Sequence, residues 1–144
     1  MTLDEVLKII PNRPPYLWVD EVVDLRNRSI HTRKRIDPEL PLLAGHYPGF
    51  PVFPAALQCE CAYQASAILI AKMGVSTEGM IPVVSRASNL KFRRMVRPGD
   101  TLDVHVKLVD RIQHAFYLQA VIQSGDQVVA SLDFTATVAQ RPAG

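Results

Sequence analysis

The chain is short of several things, and each shortage excludes a class of protein. It has only two cysteines in 144 residues, so a disulfide framework does not hold it together. Cys59 and Cys61 lie two apart in a segment of helical composition, where such side chains point away from each other. They cannot bridge, they do not have zinc-ligand spacing, and no metal is expected. Excess charge is also missing. A net charge of +2 and a pI of about 8.7 are too mild to mark a nucleic-acid binder, and few aromatics stand among the basic residues to stack on bases. No apolar run reaches the roughly 18 residues that would span a membrane. Met1-Thr2-Leu3-Asp4-Glu5 has neither the basic start nor the apolar stretch of a signal peptide. A cytoplasmic protein without a membrane partner is the expectation. There is no repeat, low-complexity segment or linker, and the length suits a single domain over 1–144.

Apolar residues are plentiful at 48%, and mean hydropathy is +0.07. So much apolar surface calls for a core plus a subunit interface or a greasy pocket. The segment from Ala55 to Met73 contains no proline or glycine and few polar side chains before Lys72. That composition predicts a helix apolar on nearly all sides, hence a buried one, ended by Gly74. A short helix is predicted over Asp4 to Ile10, stopped by Pro11. Strands are predicted over Leu17 to Leu25, Ser29 to Ile36, Met80 to Ser88, Leu102 to Ile112, Ala115 to Gln123 and Val128 to Val138, with turns at Asn27-Arg28, Pro98-Gly99-Asp100 and Ser124-Gly125-Asp126. The tail Arg141-Pro142-Ala143-Gly144 should fray. The result is an α+β domain in which an antiparallel sheet of five or six strands wraps one long helix. A single sheet so arranged leaves an edge open, which predicts pairing with a second copy.

Between the second strand and the long helix runs Gly45-His46-Tyr47-Pro48-Gly49-Phe50-Pro51-Val52-Phe53-Pro54-Ala55-Ala56-Leu57-Gln58-Cys59-Glu60. Its prolines and glycines form a stiff turn carrying a histidine. The helix that follows carries one carboxylate, among Leu57, Cys59, Cys61, Ala62 and Tyr63. Desolvation there raises the carboxyl pKa, so an imidazole can take a proton while a carboxylic acid gives one. Glu60 lies about a turn and a half into the helix, too deep to cap it.

The segment His46-Tyr47-Pro48-Gly49-x-Pro51-Val52-x-Pro54, followed by Glu60 and Gln64, resembles the 3-hydroxyacyl-[acyl-carrier-protein] dehydratases of the FabZ type, which have the hotdog fold. Pro14-Pro15-Tyr16-Leu17-Trp18-Val19-Asp20 resembles the family's first strand. Lys91-Phe92-Arg93-Arg94 with Arg97-Pro98-Gly99-Asp100 resembles its later signature. The likeness runs through nearly the whole chain, in order. It implies dehydration of (3R)-3-hydroxyacyl thioesters to trans-2-enoyl thioesters, in fatty acid or related acyl or polyketide synthesis. His46 would be the catalytic base at C2, and Glu60 of a second subunit the acid toward the C3 hydroxyl. The active sites would lie at a homodimer interface, and such dimers also assemble as trimers of dimers. No cofactor is implied, because the substrate rides on the phosphopantetheine of an acyl carrier protein.

Several further roles follow. The backbone N–H groups of Ala55 and Ala56, free at the helix start, would bind the thioester oxyanion. Gln64, one turn beyond Glu60, would orient it. Phe50, Phe53, Tyr63 and Phe92, with Tyr16, are candidates to line the acyl tunnel, though core packing suits any one of them. Lys91, Arg93, Arg94 and Arg97 would dock an acidic carrier protein. The chain also departs from the family. Ala55 stands where a glycine is usual, Pro11-Asn12-Arg13 where Pro-His-Arg is usual, and Tyr47 replaces a common Phe. A hotdog thioesterase and a non-catalytic acyl-binding subunit are the competing readings. Thioesterases lack the His/Pro-rich/Glu arrangement, and the isomerising dehydratases carry Asp where this chain has Glu60.

Overall fold

The computed structural model describes residues 1–74 and 80–140; the tail expected to fray falls outside them. Helix α1 (Leu3–Ile9) opens on a reciprocal cap, with the Glu5 N–H donating to the Thr2 hydroxyl and the Thr2 N–H to the Glu5 carboxylate. The Arg13 guanidinium closes its other end by donating to the carbonyls of Leu7 and Ile10 at 2.7 and 2.8 Å. Strands β1 (Glu21–Leu25) and β2 (Ser29–Arg35) form a hairpin. A 3-10 turn at Pro41–Ala44 and an irregular loop then lead to helix α2 (Ala55–Lys72). Strands β3 (Met80–Phe92), β4 (Thr101–Ile112), β5 (Ala115–Ser124) and β6 (Gln127–Gln140) follow.

The six strands make one antiparallel sheet in the order β1-β2-β4-β5-β6-β3. Along β4 and β5 burial alternates with a period of two, so Leu102, Val104, Val106, Phe116, Leu118, Ala120 and Ile122 face inward. Helix α2 lies against that face. Its Cys61, Ala62, Ala65, Ile68 and Leu69 are fully buried, as a helix apolar all round requires. Gly74, at φ +78°, ends it in a conformation that costs glycine little. Cys59 and Cys61 are buried free thiols.

Two strands differ from expectation. Leu17 to Val19 does not join β1. Trp18 and Val19 are buried, but the Trp18 N–H is taken by the side chain of Gln64 at 2.7 Å rather than by a ladder partner. Pairing begins only where the Asp20 N–H meets the Arg33 carbonyl. Strand β3 runs four residues past Ser88, to Phe92. A bulge between Ser88 and Lys91, with Asn89 at φ 52°, carries it onward, and Asn89 donates to Asp133 at 2.7 Å.

β3 is a sheet edge, and every residue from Ser85 to Phe92 on it is exposed. Among the described residues no helix is long and apolar enough to cross a membrane. Because Ile68 sits fully buried between α2 and the sheet, Ile68→Ala should lower the unfolding free energy by about 2–5 kcal/mol, as read by urea denaturation.

Candidate active site

The loop before α2 holds His46 by its backbone and by its ring. The Val52 N–H donates to the His46 carbonyl at 2.7 Å. His46 Nδ1 lies 2.8 Å from the Val52 carbonyl oxygen. A carbonyl only accepts, so Nδ1 carries the proton and Nε2 of the neutral imidazole presents its lone pair. The Tyr47 ring stacks on the imidazole at 4.2 Å between centroids. His46 opens into a cavity of about 490 Å³, lined also by Tyr47, Phe50, Val52, Phe53, Ala55, Gln58, Phe92, Arg93, Arg94 and Met95.

Ala55 is the first residue of α2, behind Pro54, which offers no side-chain cap. The Pro54 carbonyl receives the N–H groups of Leu57 and Gln58. Those of Ala55 and Ala56 have no partner among the described residues, and they carry the positive end of the helix. Only Asn89 and Gln113 among the described non-glycine residues have positive φ. The backbone at Ala55 therefore does not require glycine.

Glu60 sits elsewhere. It is not among the residues that line the His46 cavity, and it makes no hydrogen bond to His46 in the same chain. Its partner is Gln64, whose side-chain N–H donates to Glu60 Oε2 at 3.2 Å. The same Nε2 donates to the Tyr16 carbonyl at 3.0 Å, and Gln64 Oε1 accepts the Trp18 N–H. The bonds to Trp18 and Tyr16 fix the amide's orientation, since a carbonyl needs a donor and a backbone N–H needs an acceptor, and this leaves an N–H for Glu60. Desolvation raises the Glu60 pKa above the ordinary value, and the Gln64 bond only partly opposes it. Glu60 Oε1 has no partner among the described residues, so a proton held there faces outward from the amide.

Of the tunnel candidates, Phe50, Phe53 and Phe92 converge on the cavity. Phe53 does so from within the core, fully buried and edge-on to Trp18 at 5.4 Å. Tyr63 does not join them. Its ring lies edge-on to Phe134 at 5.1 Å, because its position on α2 turns it toward β6. Arg93 and Arg94 line the cavity rim, and the Arg97 guanidinium lies 4.1 Å over the Phe50 ring. Asp100 holds this corner through the Arg97 N–H at 2.9 Å. Lys91 stands apart on the exposed edge strand. Sequence reasoning missed Gln58, a buried amide lining the cavity; a polar residue in an otherwise apolar first turn was the available signal. It also missed the Val52 carbonyl, for which the sequence holds no signal.

A fold of one sheet over one helix, with a histidine loop at the helix start and a buried carboxyl on the helix, defines a hotdog protein equipped for acid–base chemistry. The sequence profile of the ApeI-like family, described as ApeI dehydratase, matches residues 22–133, and the chain belongs to this dehydratase family. Curated relatives named 3-hydroxyacyl-[acyl-carrier-protein] dehydratase FabZ match nearly the whole of this chain. That of Rickettsia bellii is 34% identical over 141 residues, covering 96% of this chain and 97% of that protein. That of a Caulobacter species is 36% identical over 140 residues, covering 96% and 86%. Among solved structures, the dehydratase heterocomplex ApeI:P from Xenorhabdus doucetiae superposes with a TM-score of 0.77 at 14% identity, over 96% of this chain and 91% of that one. A hypothetical thioesterase from Streptococcus pneumoniae, with coenzyme A, gives 0.65 at 14% identity, over 85% and 90%. These two likenesses concern the fold alone.

The pKa direction at Glu60 has a consequence for stability. A carboxyl raised in the folded state binds protons more tightly there than in the unfolded chain. Its stabilising contribution is present below the unfolded pKa and is lost as pH rises through the folded value. Glu60→Gln removes that dependence. The variant should therefore gain stability over wild type at pH 8 relative to pH 4, measured by chemical denaturation at the two values. An equal difference at both would show that Glu60 is not raised.

Proposed function

We propose that this chain dehydrates 3-hydroxyacyl thioesters carried by an acyl carrier protein, with each active site shared between two copies. What supports this most directly is the condition of the two titratable groups. His46 offers a lone pair at Nε2 inside a cavity, and Glu60 is a carboxyl that burial favours in its protonated form. His46 Nε2 takes the C2 proton, and the electrons of that C–H bond build toward the thioester oxygen. The free N–H groups of Ala55 and Ala56 stabilise the charge there. The C3–O bond then breaks as Glu60 gives its proton to the departing oxygen. Water and a trans-2-enoyl thioester leave, with His46 protonated and Glu60 ionised; solvent exchange restores both. No cofactor takes part in these steps.

Within one chain the two groups lie in different surroundings, so the reaction needs the Glu60 of one copy beside the His46 of another. The β3 edge supplies the surface for that pairing. It is 13 residues long and exposed at its second half, with Leu90 and Phe92 43% and 44% exposed and Met95, just beyond its end, 59% exposed. A homodimer with two complete sites is the assembly proposed. Arg93, Arg94 and Arg97, gathered at the cavity mouth, suit an acidic carrier protein that delivers the acyl arm. Lys91 lies beyond the cavity rim and would meet such a partner only at its margin. A cytoplasmic setting accords with this reading.

Ultraviolet absorbance of the enoyl thioester tests the activity on a 3-hydroxybutyryl carrier-protein substrate. His46→Ala and Glu60→Gln should each lower the rate by about 10²–10⁴-fold. Mixing the two variants, after dissociation and reassociation, should restore part of the activity, because a mixed dimer rebuilds one intact site. Release of free thiol would instead identify a thioesterase, and a monodisperse monomer in solution would rule out the shared site.

A further inference from the structure

The reaction scheme above puts a positive charge on His46, and the cavity holds little to meet it. The proton taken from C2 turns the ring into an imidazolium. No residue lining the cavity is a carboxylate, and two of them, Arg93 and Arg94, are cations. Glu60 of the second copy becomes an anion only after it has given up its own proton. Until then the ring has two supports in its own chain. One is the Val52 carbonyl, 2.8 Å from Nδ1. The other is the face of Tyr47, whose ring lies 4.2 Å away between centroids at an interplanar angle of 28°. Backbone bonds hold both residues. The His46 carbonyl accepts the Val52 N–H at 2.7 Å, while Tyr47 and Phe50 exchange N–H and carbonyl bonds at 3.0 and 2.9 Å. Yet Tyr47 is 55% exposed in the single chain and stands outside the buried core. A large ring anchored so firmly and left so open is poorly explained by core packing.

We propose that Tyr47 is a positioning residue for the base, its π face stabilising the imidazolium that forms at His46 as C2 is deprotonated. This rests on the dehydratase reading. An aromatic ring is negative on its faces, and a cation within about 6 Å of the centroid is attracted to it. The neutral imidazole gains much less from the same contact. The attraction therefore grows as the proton moves, so it favours the transition state over the bound substrate. The balance of the step is unchanged. The C2–H bond breaks, its proton joins Nε2, and its electrons build toward the thioester oxygen. Tyr47 exchanges no proton. A main-chain carbonyl and an aromatic face together take the place that a carboxylate fills beside the histidine of a Ser-His-Asp triad.

Fluorine on the ring separates this role from one of shape, because it drains charge from the face and scarcely alters the size. Tyr47 is more than half exposed, so its variants should fold. Tyr47→Leu removes the face. On a 3-hydroxybutyryl carrier-protein thioester its kcat should fall by about 3- to 30-fold, the value of one cation–π contact. Tyr47→Phe restores the face and should recover the rate to within about threefold of wild type. Mono-, di- and trifluorinated phenylalanine at the same position should then lower kcat in steps toward the Tyr47→Leu value, with KM held within about twofold. A rate level across the fluorinated rings would show support by shape alone, and overturns the inference while leaving the dehydratase reading intact. So does a loss in Tyr47→Phe as large as in Tyr47→Leu, which would assign the effect to the hydroxyl. A wild-type protein inert toward the hydroxyacyl substrate overturns that reading, and the role of Tyr47 with it.

Discussion

The side-chain amide of Gln64 connects parts of this molecule that otherwise share only apolar contact. It is 2% exposed, and an unpaired amide so buried would cost about 1–3 kcal/mol. Its oxygen and both its N–H groups are in use. Through them the long helix grips the segment Tyr16 to Trp18 and also holds the carboxyl of Glu60. The late start of β1 follows directly, because the Trp18 N–H cannot serve both Gln64 and a strand ladder. Trp18 then stays where its indole supports Phe53 and Tyr16. One polar contact in an apolar core thus sets both the path of the chain's first irregular segment and the setting of its acid.

Helical geometry explains why Glu60 does not line the His46 cavity of its own chain. Successive residues turn by about 100° around the axis. Ala55 lines the His46 cavity, and Gln58, three residues on, comes back to within roughly 60° of it. Glu60, five residues on, lies roughly 140° away. A histidine loop packed at the helix start can share a cavity with Ala55 and Gln58, but its own Glu60 faces another way. The open β3 edge, with apolar side chains at and beyond its end, offers the compensating surface. The separation of Glu60 from the His46 cavity and the uncovered edge are two consequences of one sheet laid over one helix.

Much of this was legible in the sequence because proline and glycine mark its boundaries. The long helix, the turn at Pro98-Gly99-Asp100 and the β4–β5–β6 meander fall where local pattern puts them. The same is true of the His46 loop, whose stiffness follows from its composition. The misread stretches all depend on contacts distant in sequence. Leu17 to Val19 has strand composition, but Gln64, 46 residues from Trp18, takes the N–H. β3 passes Ser88 because Asn89 adopts positive φ and reaches Asp133, 44 residues on. The tautomer of His46 rests on a main-chain carbonyl, which no side-chain pattern announces. Ala55 shows the opposite case. It stands where a glycine is usual in the family, but the first residue of a helix asks for ordinary φ, and only the methyl remains as a difference.

The surroundings of Glu60 combine two opposed influences, and the opposition suits the general acid proposed for it. Burial alone would favour the acid so strongly that the carboxylate left after proton donation would be poorly stabilised. The Gln64 N–H favours the carboxylate and limits that cost. The net direction is still upward, so the protonated form is favoured more than in a free carboxyl, and the amide bond limits how far. A general acid works best with its pKa near the operating pH, and a half-buried carboxyl with one fixed amide donor approaches that condition more closely than full burial or free solvation would. The same amide keeps one carboxyl oxygen occupied and so reserves the other for the proton. In the proposed mechanism, the position of Glu60 and the oxygen from which it delivers its proton are therefore set together, by Gln64, a residue that need not touch the substrate.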